Sequence, residues 1–183
     1  HVGGLPAVLR RYRVDHIVQP AAEHATPDGR AWDAAVEGEG AVMHTAAAGV
    51  RLVLDGATGV AAEVRWPPAC DIERALGVEE VAMNDRSVVL VLRHGRRRFV
   101  LTGDVEASVE RALVRSAGGL RGDVLKVAHH GSATSSTPAF LAAVAPRLAV
   151  ISVGADNRFG HPDGGVLGRL GGIAVRRTDV DGA

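Results

Sequence analysis

The sequence predicts a layered domain that mixes strands and helices, α/β or α+β in class. Two observations predict it. Short apolar runs of four to six residues alternate with helical patterns over most of the chain. Ser87–Arg93 and Arg97–Thr102 flank the turn His94-Gly95-Arg96, so at least one pair of strands is antiparallel and the sheet is not purely parallel. With 183 residues the chain fits one domain, read as spanning 1–183. Aromatic residues make up only 3%, so Val, Leu, Ile and Ala must build the core.

Taken in order, residues 4–11 read as a helix, with Leu5, Val8, Leu9 and Tyr12 at helical spacing. Asp15–Val18 and Val50–Leu54 read as strands, with a short helix at Trp32–Glu37 between them. Ala62–Trp66 is a strand ended by Pro67 and Pro68, which cannot continue a ladder. After the hairpin comes a helix at Glu106–Ser116, whose Val109, Ala112 and Leu113 share a face. Val124–Ala128 reads as a strand apolar on both faces. Pro138–Val144 reads as a helix with Thr137 as N-cap and proline at its first position. Leu148–Val153 is a strand, Gly165–Leu170 a glycine-diluted helix and Ile173–Arg177 the last strand.

Bulk properties exclude little. The formal net charge is zero, so overall charge selects neither a nucleic-acid nor a membrane partner. The single cysteine, Cys70, rules out an intrachain disulfide and a thiolate cluster. No apolar run approaches the roughly 18 residues of a membrane span. The chain opens HVGGLPAVLRRY, without methionine, and closes RTDVDGA; both ends read as those of a fragment of a longer protein.

Chemistry concentrates where strands run into helices. LKVAHHGSATSS places His129 and His130 at the end of an apolar strand. If the strand stays extended, the two imidazoles face opposite sides; if it bends, they converge. RFVLTGDVE places Asp104 after Gly103, as a site carboxylate or as the N-cap of the following helix. ISVGADNRFGHP carries Asn157 and His161 in a polar loop. Each alone has an ordinary structural explanation. Together they put His and carboxylate groups at one sheet edge, the donor set of Zn²⁺ or Mn²⁺ hydrolytic sites. A carboxylate bridging two metals about 3.5–4 Å apart is the pattern of a dinuclear site. Ser132, Thr134, Ser135 and Ser136 fit either phosphate binding or turn capping. RHGRRRF reads as a solvated hairpin tip more than as a phosphate holder. His16, His24, His44 and His94 show no partner pattern.

The motifs HVGGLPAVL, NDRSVVLVL, FVLTGDVE, DVLKVAHHGSATSSTPAFLAAVAPRLAVISVGADNRFGHP and RTDVDG resemble the C-terminal metallo-β-lactamase-like domain of ComEC-type DNA-internalisation (competence) proteins. The resemblance covers nearly the whole chain and is weakest between about residues 20 and 60. It implies a four-layer αββα sandwich, with the first strands upstream of His1. It implies two divalent metal ions (Zn or Mn) and no small-molecule cofactor. His1 matches the last histidine of the family's first metal motif, and Asp104 the bridging carboxylate. The pair His129 and His130 supplies a further ligand, with His130 preferred, and His161 a ligand, phosphate contact or general acid. Asp104 and His161 would be catalytic; Ser132, Asn157 and His161 would meet the substrate. The implied activity, expected of the intact protein because the other ligands of the first motif lie upstream of His1, is a DNA phosphodiesterase or nuclease acting on single-stranded DNA, on the extracytoplasmic face of the bacterial cell membrane, beside the channel portion of the same polypeptide. Two rival functions stand beside it: a non-catalytic domain that guides DNA to the channel, and a metallohydrolase acting on a non-DNA ester or phosphodiester. The sequence departs from the family after His161-Pro162, where Asp163-Gly164-Gly165 replaces a more polar helix start.

Overall fold

A computed structural model describes residues 4–21, 26–116 and 119–182. The backbone contacts divide the chain into two compact units, His1–Ala46 and Ala47–Ala183.

The first unit contains α1 (Leu5–Leu9), β1 (His16–Gln19), α2 (Pro27–Glu39) and β2 (Val42–Thr45). β1 and β2 pair in parallel. α2 is much longer than the helix expected at Trp32–Glu37. Thr26 accepts the Gly29 N–H, Pro27 occupies the first turn, and Gly40 closes the far end in the left-handed conformation. Trp32 is buried and donates its Nε1–H to Gln19 Oε1 at 2.8 Å. The parallel register brings His16 and His44, which showed no pattern in sequence, to a ring separation of 5.3 Å.

The second unit is built on a seven-stranded mixed sheet whose spatial order follows the chain. β3 (Arg51–Asp55), β4 (Val60–Trp66), β5 (Val89–His94) and β6 (Arg97–Leu101) form an antiparallel meander. From β6 onward the strands run parallel: β7 (Val124–Lys126), β8 (Leu148–Ile151) and β9 (Ala174–Arg177). Parallel neighbours require crossovers, supplied by α4 (Ala107–Arg115), α5 (Pro138–Val144) and α6 (Gly164–Arg169). The register aligns Val91, Val100, Leu125 and Ala149 in one cross-strand row, each at most 2% exposed. Val109 and Leu113 of α4 and Phe140 and Val144 of α5 belong to the same buried cluster. The core is therefore aliphatic, as the composition requires.

Among the described residues no helix is long and apolar enough to cross a membrane. Three further elements had no clear signal in sequence: β2, α3 (Ile72–Leu76) and α7 (Thr178–Asp181).

Candidate functional site

β6, β7 and β8 end side by side, and all three continue into loops carrying polar side chains. In open sheets with parallel strands this is where ligands bind. β7 stops at Lys126, two residues before the expected end at Ala128. Residues 128–131 form a tight turn in which His129 and His130 both take left-handed dihedrals, φ 48° and 53°. The chain thus bends at His129, and the extended alternative, with the imidazoles on opposite faces, does not apply.

The two imidazoles have different surroundings. His130 Nδ1 lies 2.6 Å from the Ser152 carbonyl. Only a protonated Nδ1 can bond a carbonyl, so in the neutral imidazole Nε2 carries the lone pair. That Nε2 faces Asp104 Oδ1 at 3.7 Å. His129 is held from both sides: Nδ1 lies 3.3 Å from Glu106 Oε1, without hydrogen-bond geometry, and Nε2 lies 3.4 Å from Asn84 Nδ2. Asn84 also donates to Glu106 Oε1 at 3.2 Å.

Asp104 is buried. It does not cap the following helix, contrary to its ordinary explanation. The N-cap residue of α4 is Glu106, whose backbone N–H is accepted by Asp85 Oδ1 at 2.8 Å; Ser108 Oγ donates to the other Asp85 oxygen. With that N–H met by Asp85, the Asp104 carboxylate faces Lys126 Nζ, 3.7 Å away, as well as His130. Lys126 also donates to the Gly103 carbonyl at 3.0 Å. Burial pulls the Lys126 ammonium below the usual lysine range, partly offset by the Asp104 charge.

Two glycines allow this packing. Gly103 has φ +54°, and a Cβ there would meet Ser87 Cβ at 2.7 Å. Gly131 has φ +80°, and a Cβ there would lie 2.6 Å from Pro162 Cβ and 3.2 Å from Pro162 Cα. Gly131→Ala therefore combines left-handed strain with overpacking. It is expected to lower unfolding stability by about 2–3 kcal/mol in a urea titration. A midpoint unchanged from wild type would show that the loop of Pro162 does not pack against the histidine turn.

His161 joins the group by an edge contact with His129, ring centroids 5.7 Å apart, while Phe159 stacks on it at 5.9 Å. Burial lowers the His161 pKa, and the neighbouring His129 and His130 lower it further. His161 is thus biased towards the neutral imidazole. Asn157 shapes this loop by accepting the His161 N–H and donating to its carbonyl, at 3.0 and 2.8 Å. Ser132 is nearly buried and engages Thr134 at 3.1 Å; Ser135 Oγ donates to the Ala128 and Ser132 carbonyls. These hydroxyls hold the turn after the histidines together.

Of the site residues expected from sequence, Asp104, His129, His130 and His161 come together, and Asn157 and Ser132 support their loops. His1 lies outside the described residues. Asn84, Glu106 and Lys126 were missed. Lys126 had a signal, a lysine inside an apolar strand; Asn84 and Glu106 had none beyond their polarity. As a test of metal fit, Asp104 Oδ1 and His130 Nε2 have suitable chemistry, and the Ser152 contact fixes the tautomer that a metal-ligating histidine needs. They are two donors, however; among the described residues no three His, Cys, Asp or Glu side chains form a metal-holding group.

The mixed sheet with helical crossovers, and the site at the ends of its parallel strands, agree with the family comparison. Residues 1–155 match the model of the metallo-beta-lactamase superfamily, and the chain belongs to it. The resemblance to ComEC-type proteins holds as well. The chain is 31% identical over 185 residues to ComE operon protein 3 of Bacillus subtilis (strain 168), covering all of this chain and 22% of that protein. It is 40% identical over 128 residues to competence protein ComA of Neisseria gonorrhoeae, covering 67% of this chain and 18% of that protein. It is 40% identical over 103 residues to recombination protein 2 of Haemophilus influenzae (strain ATCC 51907 / DSM 11121 / KW20 / Rd), covering 55% of this chain and 13% of that protein. The chain thus spans about a fifth or less of the length of these relatives.

Proposed function

We propose that this chain is a metal-dependent phosphodiesterase domain of a DNA-uptake protein, acting on single-stranded DNA. The observation that carries the reading is the convergence of Asp104 and His130 Nε2 at the ends of adjacent parallel strands, with Lys126, His129 and His161 around them. The names of the relatives, a ComE operon protein, a competence protein and a recombination protein, support DNA as the substrate. The ComEC-type resemblance adds to this proposal a place outside the cytoplasm, beside the channel portion of the same polypeptide.

In this reading Asp104 and His130 would hold a divalent cation, Zn²⁺ or Mn²⁺. When bound, such a cation supplies Lewis acidity towards the phosphoryl group. The protein's own groups do the rest. The Ser152 carbonyl keeps the His130 proton on Nδ1. Glu106 and Asn84 hold the His129 ring, which supports His161 by its edge. Lys126 offsets the negative charge of Asp104 and lies close enough to it to meet a phosphoryl oxygen. His161, biased neutral, accepts a hydrogen bond from a substrate or water more readily than it donates a proton as an acid.

The test is hydrolysis of an end-labelled single-stranded oligonucleotide by the chain supplied with Zn²⁺ or Mn²⁺. Cleavage that stops on adding EDTA and returns with excess metal is expected. Cleavage indifferent to EDTA would overturn the metal dependence. Cleavage of simple phosphodiesters or carboxylic esters, with none of DNA, would overturn the substrate.

A further inference from the structure

At the opposite end of the sheet from the histidine turn lies a cleft of about 230 Å³. Its charged lining is Arg96, Arg98, Arg121 and Arg147, with Asp123 as the one carboxylate. The arginines come from three places: the β5–β6 hairpin, the segment entering β7 and the segment entering β8. The sequence showed only a cluster at the hairpin tip. The parallel pairing of β6, β7 and β8 adds Arg121 and Arg147 to it.

The charges in the cleft are not balanced from within. Asp123 is already engaged: Oδ2 accepts the Arg98 backbone N–H at 2.9 Å, and Oδ1 lies 3.6 Å from Arg97 Nη1. The Arg98 N–H, with Arg97 and Arg147 nearby, holds the Asp123 carboxyl below the usual range against the opposing effect of burial. Arg98 donates Nη2–H to the Gly119 carbonyl at 3.1 Å, yet its Nε is buried and has no hydrogen-bond partner. The hairpin register sets Arg93 directly opposite Arg98. Like charges in directly opposed positions destabilise a strand pair, and an anion in the cleft would relieve the repulsion.

The layout fits a chain of phosphates better than one. Adjacent strands are about 4.8 Å apart, so the entries of β6 and β8 are about 10 Å apart. Phosphates recur about every 3.4 Å along the axis of each strand of duplex DNA, and more widely on an extended single strand. Two or three consecutive phosphates match this row of guanidinium groups, which bind phosphate oxygens through paired N–H donors.

We infer that this cleft is a second nucleic-acid site, which grips the phosphodiester backbone of a single strand about one strand length from the catalytic loops. β6, five residues long, sets that spacing at roughly 16 Å. The inference does not depend on metal binding or hydrolysis at the other end.

The test is fluorescence anisotropy of a labelled oligothymidylate with the full chain, in EDTA, across a salt series. The variant is Arg96→Gln, Arg121→Gln and Arg147→Gln combined; all three residues are exposed. It should bind at least tenfold more weakly at low salt. Its plot of log affinity against log salt should lose about 2 of its slope, near 0.7 for each phosphate contact removed. Arg111→Gln, at an exposed position on α4 outside the cleft, should bind as wild type. Four outcomes would overturn the inference. One is an unchanged affinity and slope in the triple variant, and another is no binding by wild type. A third is displacement by millimolar inorganic phosphate at matched ionic strength, which would assign a single-phosphate site. The last is capture by phosphatidylserine–phosphatidylcholine vesicles, lost in the variant while oligonucleotide binding survives, which would assign a membrane surface. Since binding is read without cleavage, failure here leaves the phosphodiesterase reading intact, and the reverse also holds.

Discussion

Asp104→Asn is expected to lower metal-dependent cleavage of a single-stranded oligonucleotide by more than about a hundredfold, the upper end of the loss seen when a metal site loses only an outer-shell partner. Asparagine keeps the volume of a side chain that is buried beside the β6 end, so packing is preserved. The charge is lost, and with it the anionic donor facing His130 Nε2 at 3.7 Å and Lys126 Nζ at 3.7 Å. His130→Ala should match it, since the two side chains form one donor pair. His129→Ala should cost less, about 10- to 100-fold, because its Nε2 is engaged by Asn84 while its Nδ1 lies beside Glu106, and it acts by positioning. Stability separates a chemical effect from a structural one. Removing Asp104 leaves the Lys126 ammonium with the Gly103 carbonyl. The lysine side chain is 26% exposed, so the loss should stay within about 1–2 kcal/mol. Cleavage by Asp104→Asn within threefold of wild type, at similar urea midpoints, would remove Asp104 from the machinery.

The sequence made some of this site legible and hid the rest for physical reasons. α5 was readable to the residue because its start is local: Thr137 caps, and Pro138 occupies the first turn. The hairpin was readable for the same reason, with Gly95 at φ +56° supplying its tight turn. α2 was underestimated because Pro27, Asp28 and Gly29 resemble a loop until they are seen as a first turn. β2 was missed because no residue in it is buried, so it shows no alternation. Asp104, His129, His130 and His161 were found because each sits in the junction between a strand and the following helix. Their roles were not legible. Whether His129 and His130 diverge or converge depends on two left-handed dihedrals that non-glycine residues adopt only when tertiary packing demands them. Asn84 meets His129 across 45 residues of chain, and Lys126 meets Gly103 across 23, so neither contact leaves a local pattern. The arginine cleft was invisible for the same reason, since only strand pairing brings Arg147 to the hairpin.

Glu110→Ala should destabilise the second unit by about 3–5 kcal/mol. Glu110 is fully buried within α4. Its two carboxylate oxygens accept the backbone N–H groups of Ser136 and Thr137 at 2.6 and 2.7 Å. Ser136 is itself left-handed, at φ 58°, so this carboxylate holds a strained entry into α5 and the turn that carries the histidines. Arg169 reaches the same segment, donating to the Ser135 and Ser136 carbonyls at 2.9 Å each. Alanine would strand two buried N–H donors and remove the carboxylate from the neighbourhood of that guanidinium, a loss in the range seen when one member of a buried charged network is removed. Glu110→Gln should lie between, since its amide has one oxygen for two donors. Burial raises the Glu110 pKa above the ordinary glutamate value, against the pull of Thr137, Ser136 and Arg169. A raised folded pKa means that the folded state binds the proton more tightly. Titration of Glu110 therefore contributes stability that is fully present below the unfolded pKa and is lost as pH rises through the folded one. Glutamine has no such titration. The stability advantage of wild type over Glu110→Gln should shrink as pH climbs from about 4 towards neutrality, read as converging urea midpoints. Midpoints that diverge over the same window would mean that the backbone N–H groups and Arg169 outweigh desolvation, and that Glu110 is held as a carboxylate.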